Sequence, residues 1–510
     1  MTASGSTPHD AEATPDAGRS AAHQAGERAA KNTAVRIFGE VVGKLASLVL
    51  FAVLARKVGD ARLGIFVFAL AWAEVAMTPV GLGIDQFLVR QVAADRSRLD
   101  AYFLNAVVLK LARGVPVVAA SIALVHLLDY SHETELTVSV LSVGLLFDTM
   151  ARTAESVFDA FERGELVATA IVVQRILAAS AGVAVLVAGY GVVAVAITYS
   201  LGALVRAVVS VELMRRRVRW PRMVAPADVR REIRRRSLPF TTQDLFSLVL
   251  NRADVLLLAA LAADAVVGQY GAAYRLYEST TFIVVALGGA FAAMFTYLGR
   301  DTDPTLAAVF QRSIKLALAM LLPISATLAL LAEPLLRSFF GAGFAAAREP
   351  LVLLAPVPAL WGVMVLANVL VLSREHPRRM VYTVAVAAVA NIGLNLALIP
   401  PLGASGAALA MLGSTVLYVV VAFWLALLEV DRIHWLSMLA APVGAAAVMA
   451  GPLLLLHGVW PLAAAAGVAV YLAVYAAIDR LVDPDDLRFV VDLVRQRLPT
   501  GRQAAGSGAA

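Results

Sequence analysis

Arg113, Arg175 and Arg206 each lie inside a long apolar run with no acid within four residues on either side. At the centre of a membrane helix such a charge costs roughly 2.5–3.5 kcal/mol, so each needs a reason to be there. The spacing puts Arg113 about 16 Å into its helix, too deep to reach the surface easily, and an aqueous cavity is expected beside it. Arg175 and Arg206 are nearer a helix end, where snorkelling competes with cavity lining. Other charges come in sets. Arg36, Glu40 and Lys44 are spaced by four, and Asp148, Arg152, Glu155 and Asp159 form one stripe, so pairing within a helix and lining a cavity are both open to them. Gln243, Asp244, Asn251, Arg252 and Asp254 cluster on a third run. Arg252 and Asp254 are two apart and cannot face each other, so one must reach toward another helix. Tyr270, Tyr274 and Tyr277 flank Arg275, which can pair with Glu278, while Asn368, Asn391 and Asn395 lie deep in two later runs.

The elements that carry these residues are membrane spans. Of 510 residues 60% are hydrophobic and 16% charged, with a mean hydropathy of +0.78. Runs of about 20 apolar residues recur, the length of one span. The reading is an all-α integral membrane protein of about fourteen helices, near 34–57, 64–86, 102–128, 136–160, 166–189, 191–214, 238–262, 267–298, 309–332, 350–373, 379–400, 404–429, 435–456 and 459–479. Residues 1–30 are expected to be a disordered tail and 481–510 a second tail. No cysteine is present, so disulfides and thiolate metal sites are excluded.

Residues 215–236 hold ten arginines in 22 positions. Both flanks are spans, which speaks against nucleic acid as a partner. The segment is expected to be a cytoplasmic connector (215–237) whose Pro226-Ala-Asp228 start and Val229/Ile233 spacing predict a short amphipathic helix on an anionic bilayer surface. Twenty arginines fall in loops on that side, against five arginines and lysines on the other, which predicts cytoplasmic termini. No loop is long enough for a soluble catalytic domain, and no G-x-x-x-x-G-K-[ST] nucleotide loop occurs.

The chain repeats itself. Asp60-Ala-Arg-Leu-Gly64-Ile-Phe66 returns as Asp264-Ala-Val-Val-Gly268-Gln-Tyr270 after 204 residues, and Tyr190-Gly191-Val-Val-Ala194 returns as Leu402-Gly403-Ala-Ser-Gly406 after 212. Each turn joins corresponding helices, so two parallel six-helix lobes (31–214 and 238–430) are expected around a central cavity, followed by two extra helices in 431–480.

Residues 31–93, with ARKVGDARLGIFVFA and PVGLGIDQFLVRQVA, resemble the first two helices of polysaccharide-biosynthesis flippases of the Wzx type. LPFTTQDLFSLVLNRADVLLLAALAADAVVGQYGAAYRLYE is similar to their seventh and eighth helices, and EPLLRSFFGAGFAAAREPLVLLAP and NIGLNLALIPPLGASGAALA to later ones. The superfamily also holds MATE exporters and the MurJ lipid II flippase. The resemblance implies a carrier, not an enzyme, without cofactor or metal, which exports a polyprenyl-pyrophosphate-linked oligosaccharide across the cell membrane by alternating access. Its partners would be the bilayer, that glycolipid and glycan polymerases or glycosyltransferases. Guanidinium groups would replace the hydration of a pyrophosphate, which nominates Arg36, Lys44, Arg113, Arg152, Arg175, Arg252 and Arg275. Tyr274, Asn251 and Asn368 are the candidate sugar contacts, and Glu74, Asp148, Asp244 and Asp254 the candidates for ion coupling. A MATE-like exporter of cations, a lipid II-type flippase, a membrane glycosyltransferase and a non-transporting scaffold are the competing classes.

Overall fold

A computed structural model describes residues 15–81, 83–222, 226–298, 305–374, 377–430 and 433–483. Within these, side chains of 15–37, 227, 238–244, 293, 296–298, 305, 377 and 378 are not described. Every regular element among the described residues is a helix. They are α1 (Pro15–Gly81), α2 (Ile84–Ala94), α3 (Leu99–Leu127), α4 (His132–Ala160), α5 (Gly164–Val187), α6 (Val192–Arg217), α7 (Ala227–Leu261) and α8 (Asp264–Glu278). Then follow α9 (Thr281–Leu298), α10 (Thr305–Leu330), α11 (Ala332–Phe339), α12 (Arg348–Leu354), α13 (Val357–Ser373), α14 (Pro377–Leu427), α15 (Trp435–Leu455) and α16 (Trp460–Val482).

Ten of the described helices are long and apolar enough to cross a membrane. Two of them, Phe38–Gly81 and Arg379–Leu427, have 44 and 49 residues, about twice the length of one span. Each is a hairpin broken at a glycine. Gly59 (φ 83) and Gly403 (φ 55) take left-handed conformations that a side chain would strain. Phe51 then meets Phe66 edge-on at 5.4 Å across the first turn, and Asn391 donates to Ser414 Oγ at 2.9 Å across the second. Leu45, Val49, Val389, Val420, Leu455 and Leu472 are exposed apolar side chains, as faces against lipid chains require.

Four expectations change. Helix α1 begins at Pro15, so residues 15–30 are helical rather than a disordered tail; their many alanines are the strongest helix formers. The arginine segment is not a separate surface helix. Arg215–Arg217 complete α6, and the stretch from Ala227 is the start of α7, which continues unbroken to Leu261. The eighth span is split into α8 and α9. Ser279, Thr280 and Thr281 each donate a hydroxyl to the carbonyl three residues back (Leu276, Tyr277 and Glu278; 2.7, 2.7 and 2.8 Å), competing with the helix ladder at that point. The second span is also interrupted, by left-handed Gly83 between α1 and α2. Residues 1–14 and 484–510 lie outside the described residues.

The core explains where a cavity can form. One apolar cluster includes Phe51, Phe66, Val195, Leu258, Tyr270, Phe340, Leu351 and Met411, so both repeats share it. Toward the end that carries the arginine segment the core divides. Ile84, Phe103, Phe158 and Met214 form one cluster, and Phe295, Phe310, Leu366 and Ala422 another.

The shared end is closed by the repeated turn itself. A Cβ on Gly64 would overlap the carbonyl oxygen of Asp264, and a Cβ on Gly268 that of Asp60. The two D-A-x-x-G turns therefore touch backbone to backbone, each glycine against the other turn. Arg56 strengthens this end by donating to the Ser338 and Phe339 carbonyls, the latter at 2.9 Å, which satisfies the C-terminus of α11.

Candidate functional site

Between the divided cores lies a cavity of about 410 Å³, lined from α1, α2, α4 and α7 by residues that include Glu74, Asp85, Asp148, Arg152, Asn251 and Arg252. A smaller hollow of about 50 Å³ continues from it past Glu40, Lys44, Arg175, Tyr199, Arg275 and Glu278. Glu74 and Arg252 line both.

Lys44 and Arg252 take their partners across helices rather than along them. Lys44 donates to Glu278 at 3.2 Å, not to the acid four residues before it on its own helix. Arg275 also holds Glu278, at 2.8 Å, as their three-residue spacing allows. Arg252 pairs with Glu74 and lies 4.0 Å from Glu278. As the two-residue spacing demanded, Asp254 faces elsewhere, fully buried with Tyr270 Oη donating to it. Two ion pairs, Lys44–Glu278 and Glu74–Arg252, thus join α1 to α8 and α7. Aromatic rings lie beside the same cations: Arg275 stands 3.6 Å over Phe51 and Arg252 5.6 Å from the centre of Tyr274.

The wall toward α4 is a second network. Arg206 grips Glu155 with two hydrogen bonds (2.8 and 2.6 Å) and Asp148 with a third (2.7 Å). It is buried and spent, which excludes snorkelling as its explanation. Asp148 also accepts from Gln174 and from Arg152, both at 3.3 Å. Lys110, with no exposed surface, reaches Asp85 at 2.6 Å and the Thr149 carbonyl at 3.1 Å. Sequence reasoning missed this pair. The signal was available in Gly83-Ile-Asp85-Gln86, where an acid follows a helix break in the quoted PVGLGIDQF run.

Of the nominated residues, Lys44, Glu74, Asp148, Arg152, Arg175, Asn251, Arg252 and Arg275 line one or both hollows. Tyr274 lines an adjoining one and donates to the Asn251 carbonyl at 3.4 Å, and Arg175 donates to Tyr199 Oη at 3.0 Å. Asn368 is elsewhere, buried between α13 and α14 and donating to Tyr418 Oη at 3.1 Å, the helix-to-helix bond that competes with a sugar contact. Arg113 on α3 lines neither hollow, against the cavity expected beside it. The side chains of Arg36 and Asp244 are outside the described residues.

Among the described residues the two hollows together present five acids (Glu40, Glu74, Asp85, Asp148, Glu278) and five bases (Lys44, Arg152, Arg175, Arg252, Arg275). Over these residues the cavity expected to be cationic is charge-balanced, with its guanidinium and ammonium groups largely held by carboxylates. Among the described residues no group of three or more histidines or acids has the arrangement of a metal site.

A family model described as polysaccharide biosynthesis protein matches residues 29–297. No curated protein matches the chain. Among solved structures, the lipid II flippase MurJ in an inward closed conformation superposes with a TM-score of 0.68 at 13% identity, covering 91% of this chain and 99% of that one. A multidrug resistance MATE family transporter of the MOP superfamily, inward-facing, gives 0.64 at 15% identity over 78% and 98%. A MOP superfamily transporter from Pyrococcus furiosus, described as having a binding pocket of reverse polarity, gives 0.60 at 15% over 79% and 95%. At these identities the likeness is one of fold.

Proposed function

This chain belongs to the polysaccharide biosynthesis protein family, and we propose that it moves a polyprenyl-pyrophosphate-linked oligosaccharide from the cytoplasmic to the outer leaflet of the cell membrane. Residues 31–214 and 238–430 act as two lobes that rock about the cavity, with both termini and the arginine segment in the cytoplasm. The observation that carries the reading, beside the family, is the paired cluster of Lys44, Glu74, Arg252, Arg275 and Glu278 at the junction of the lobes.

The mechanism follows from an exchange of partners. Glu278 and Glu74 satisfy Lys44, Arg252 and Arg275 and tie the lobes together. A pyrophosphate offers those cations several charged oxygens in bidentate geometry and competes with the carboxylates. Its arrival loosens the ties between lobes, so loading and movement are coupled. Asn251 and Tyr274 lie within the same walls and serve as sugar contacts. An apolar hollow of about 400 Å³ between α10, α13, α14 and α15, lined by Phe423, Trp424, Trp435 and Met438, suits the polyprenyl chain.

Outward movement of two net negative charges gains about 4–5 kcal/mol at an inside-negative potential of about 100 mV. Glu74, Asp148, Asp244 and Asp254 are the groups we assign to any coupling with cations. Asp254, buried and accepting from Tyr270 Oη of α8, is the strongest of the three described ones for a local ion-dependent change. Glycan polymerases or glycosyltransferases would work beside the carrier.

The balanced charge of the cavity favours one second reading, a cation-coupled exporter in which the acids rather than the bases meet the substrate. Reconstitution separates them. Purified protein in liposomes should translocate short-chain polyprenyl-pyrophosphate sugars; exchange of a cationic dye for protons, with no glycolipid movement, would give the exporter reading the advantage and end this one.

A further inference from the structure

Among the described residues Glu40 is the charged group of the smaller hollow that nothing holds: it lines the space but makes no hydrogen bond and no ion pair. It stands four residues before Lys44 on α1, and an acid ahead of a lysine at this spacing is the favoured order for a pair along a helix. Lys44 nevertheless reaches across to Glu278 of α8. Two glycines fix the lobe to which Glu40 belongs. A Cβ on Gly39 would stand 3.0 Å from Ala168 Cβ, and one on Gly43 3.3 Å from Arg175 Cγ. This part of α1 therefore packs closely on α5 and goes where the N-terminal lobe goes. The side chain of Arg36, one turn before Glu40, lies outside the described residues.

The charges of this hollow divide by lobe. The N-terminal share is Glu40 and Glu74 against Lys44 and Arg175, and the C-terminal share is Glu278 against Arg252 and Arg275. Two pairs cross the division, Lys44–Glu278 and Arg252–Glu74. Separating the lobes at this depth breaks both, and a partly buried cation left without its acid opposes such a movement. Each lobe, however, holds a substitute. Arg252 already lies 4.0 Å from Glu278 of its own lobe. Lys44 has Glu40, whose carboxylate is uncommitted. Without Glu40 the N-terminal share would be one acid against two bases; with it that share is neutral by itself.

We infer that Glu40 is the second partner of Lys44, taking its ammonium group from Glu278 when α1 and α8 separate in the transport cycle. Two acids, one on each lobe, then give Lys44 a bond on either side of the movement, so the lobes part by exchanging partners and no cation is stranded. The C-terminal share keeps two guanidinium groups on Glu278, one positive charge in excess, on the face offered to the oxygens of a pyrophosphate. The role rests on the two-lobe carrier reading above and holds for any cargo.

Because the chain has no native cysteine, the movement itself can be measured. Ala94→Cys at the end of α2 and Ala308→Cys near the start of α10 are exposed positions, one on each lobe. Nitroxide labels on both report the distance between the lobes in full-length protein in nanodiscs. Two distances are expected, one for the present conformation and one for the separated conformation. Lys44→Met identifies the second by raising its share, since it cuts the tie to Glu278 and leaves no charge to compensate. Glu40→Gln lowers the ratio of separated to present conformation about tenfold, the loss of one charge-assisted contact. Its melting temperature stays near that of the unaltered chain, because Glu40 holds nothing in the present conformation, and Glu40→Asp restores part of the ratio. In the Lys44→Met background Glu40→Gln has no effect, a result that a steric role, or service to another cation such as Arg36, does not give. The inference is overturned if Glu40→Gln leaves the ratio unchanged, or lowers it equally with and without Lys44. A single distance in every variant, Lys44→Met included, removes the two-lobe reading and this role with it. Two distances with the expected shifts, but no glycolipid translocation, uphold the role and remove the cargo assignment alone.

Discussion

Glu278 holds Lys44 and Arg275 and lies within reach of Arg252, a convergence of three cations from three helices on one carboxylate. Only part of this could be read from spacing. Arg275–Glu278 is a local pair, and the opposed directions of Arg252 and Asp254 follow from helix geometry. Which acid meets Lys44 could not be read, because Glu40 is as near along the chain as Glu278 is across the fold. Two predictions belong at this scale. Arg252→Ala should lower glycolipid translocation at least about tenfold, the loss of a charge-assisted contact, with membrane abundance retained; unchanged transport would remove Arg252 from the site. Arg206→Met leaves buried Glu155 without its cation and Asp148 with only the longer contact to Arg152, and should cost about 3–5 kcal/mol in a detergent melt. Replacing Glu155 by Gln in the same protein should recover part of that loss, which a merely steric defect would not do.

Among the elements, the interrupted helices carry most of the function. The breaks at Gly83 and at Ser279–Thr280 fall in the second span of each repeat, next to the charges that face the cavity, the position where broken helices gather binding groups in duplicated carriers. The glycine turn of the repeat was legible as a motif, while its role was not: Gly64 and Gly268 are small because each turn's backbone occupies the place of the other's side chain. Gly64→Ala or Gly268→Ala should therefore part the turns, with a cost of about 1–3 kcal/mol for overpacking. A cysteine replacing buried Leu63 should then gain reactivity toward a water-soluble maleimide, with no background because the chain has no native cysteine. If Leu63→Cys labels equally with and without the alanine, this contact does not seal that end.

At the scale of the whole molecule, one core joins the repeats at the glycine end and two cores separate them at the other, so the ion pairs across the gap are the adjustable part. A double-mutant cycle on Lys44→Met and Glu278→Gln should show a coupling of about 0.5–3 kcal/mol in melting experiments. The coupling should shrink in saturating inorganic pyrophosphate if anion and carboxylate compete for the same cations; an unaltered coupling would refute the exchange of partners. By itself the sequence determined the all-helical membrane class, the duplication, the motifs of the family and most of the charged residues lining the cavity. These are written in composition, in period and in repeated turns, which are local properties of a chain. Tertiary structure alone decided which charges neutralise one another, that the described lining of the cavity is balanced rather than cationic and that Asn368 serves a helix seam. Those outcomes depend on which helix faces which across the bundle, and a charge buried away from water takes the partner that packing brings to it, however far away that partner lies in the chain.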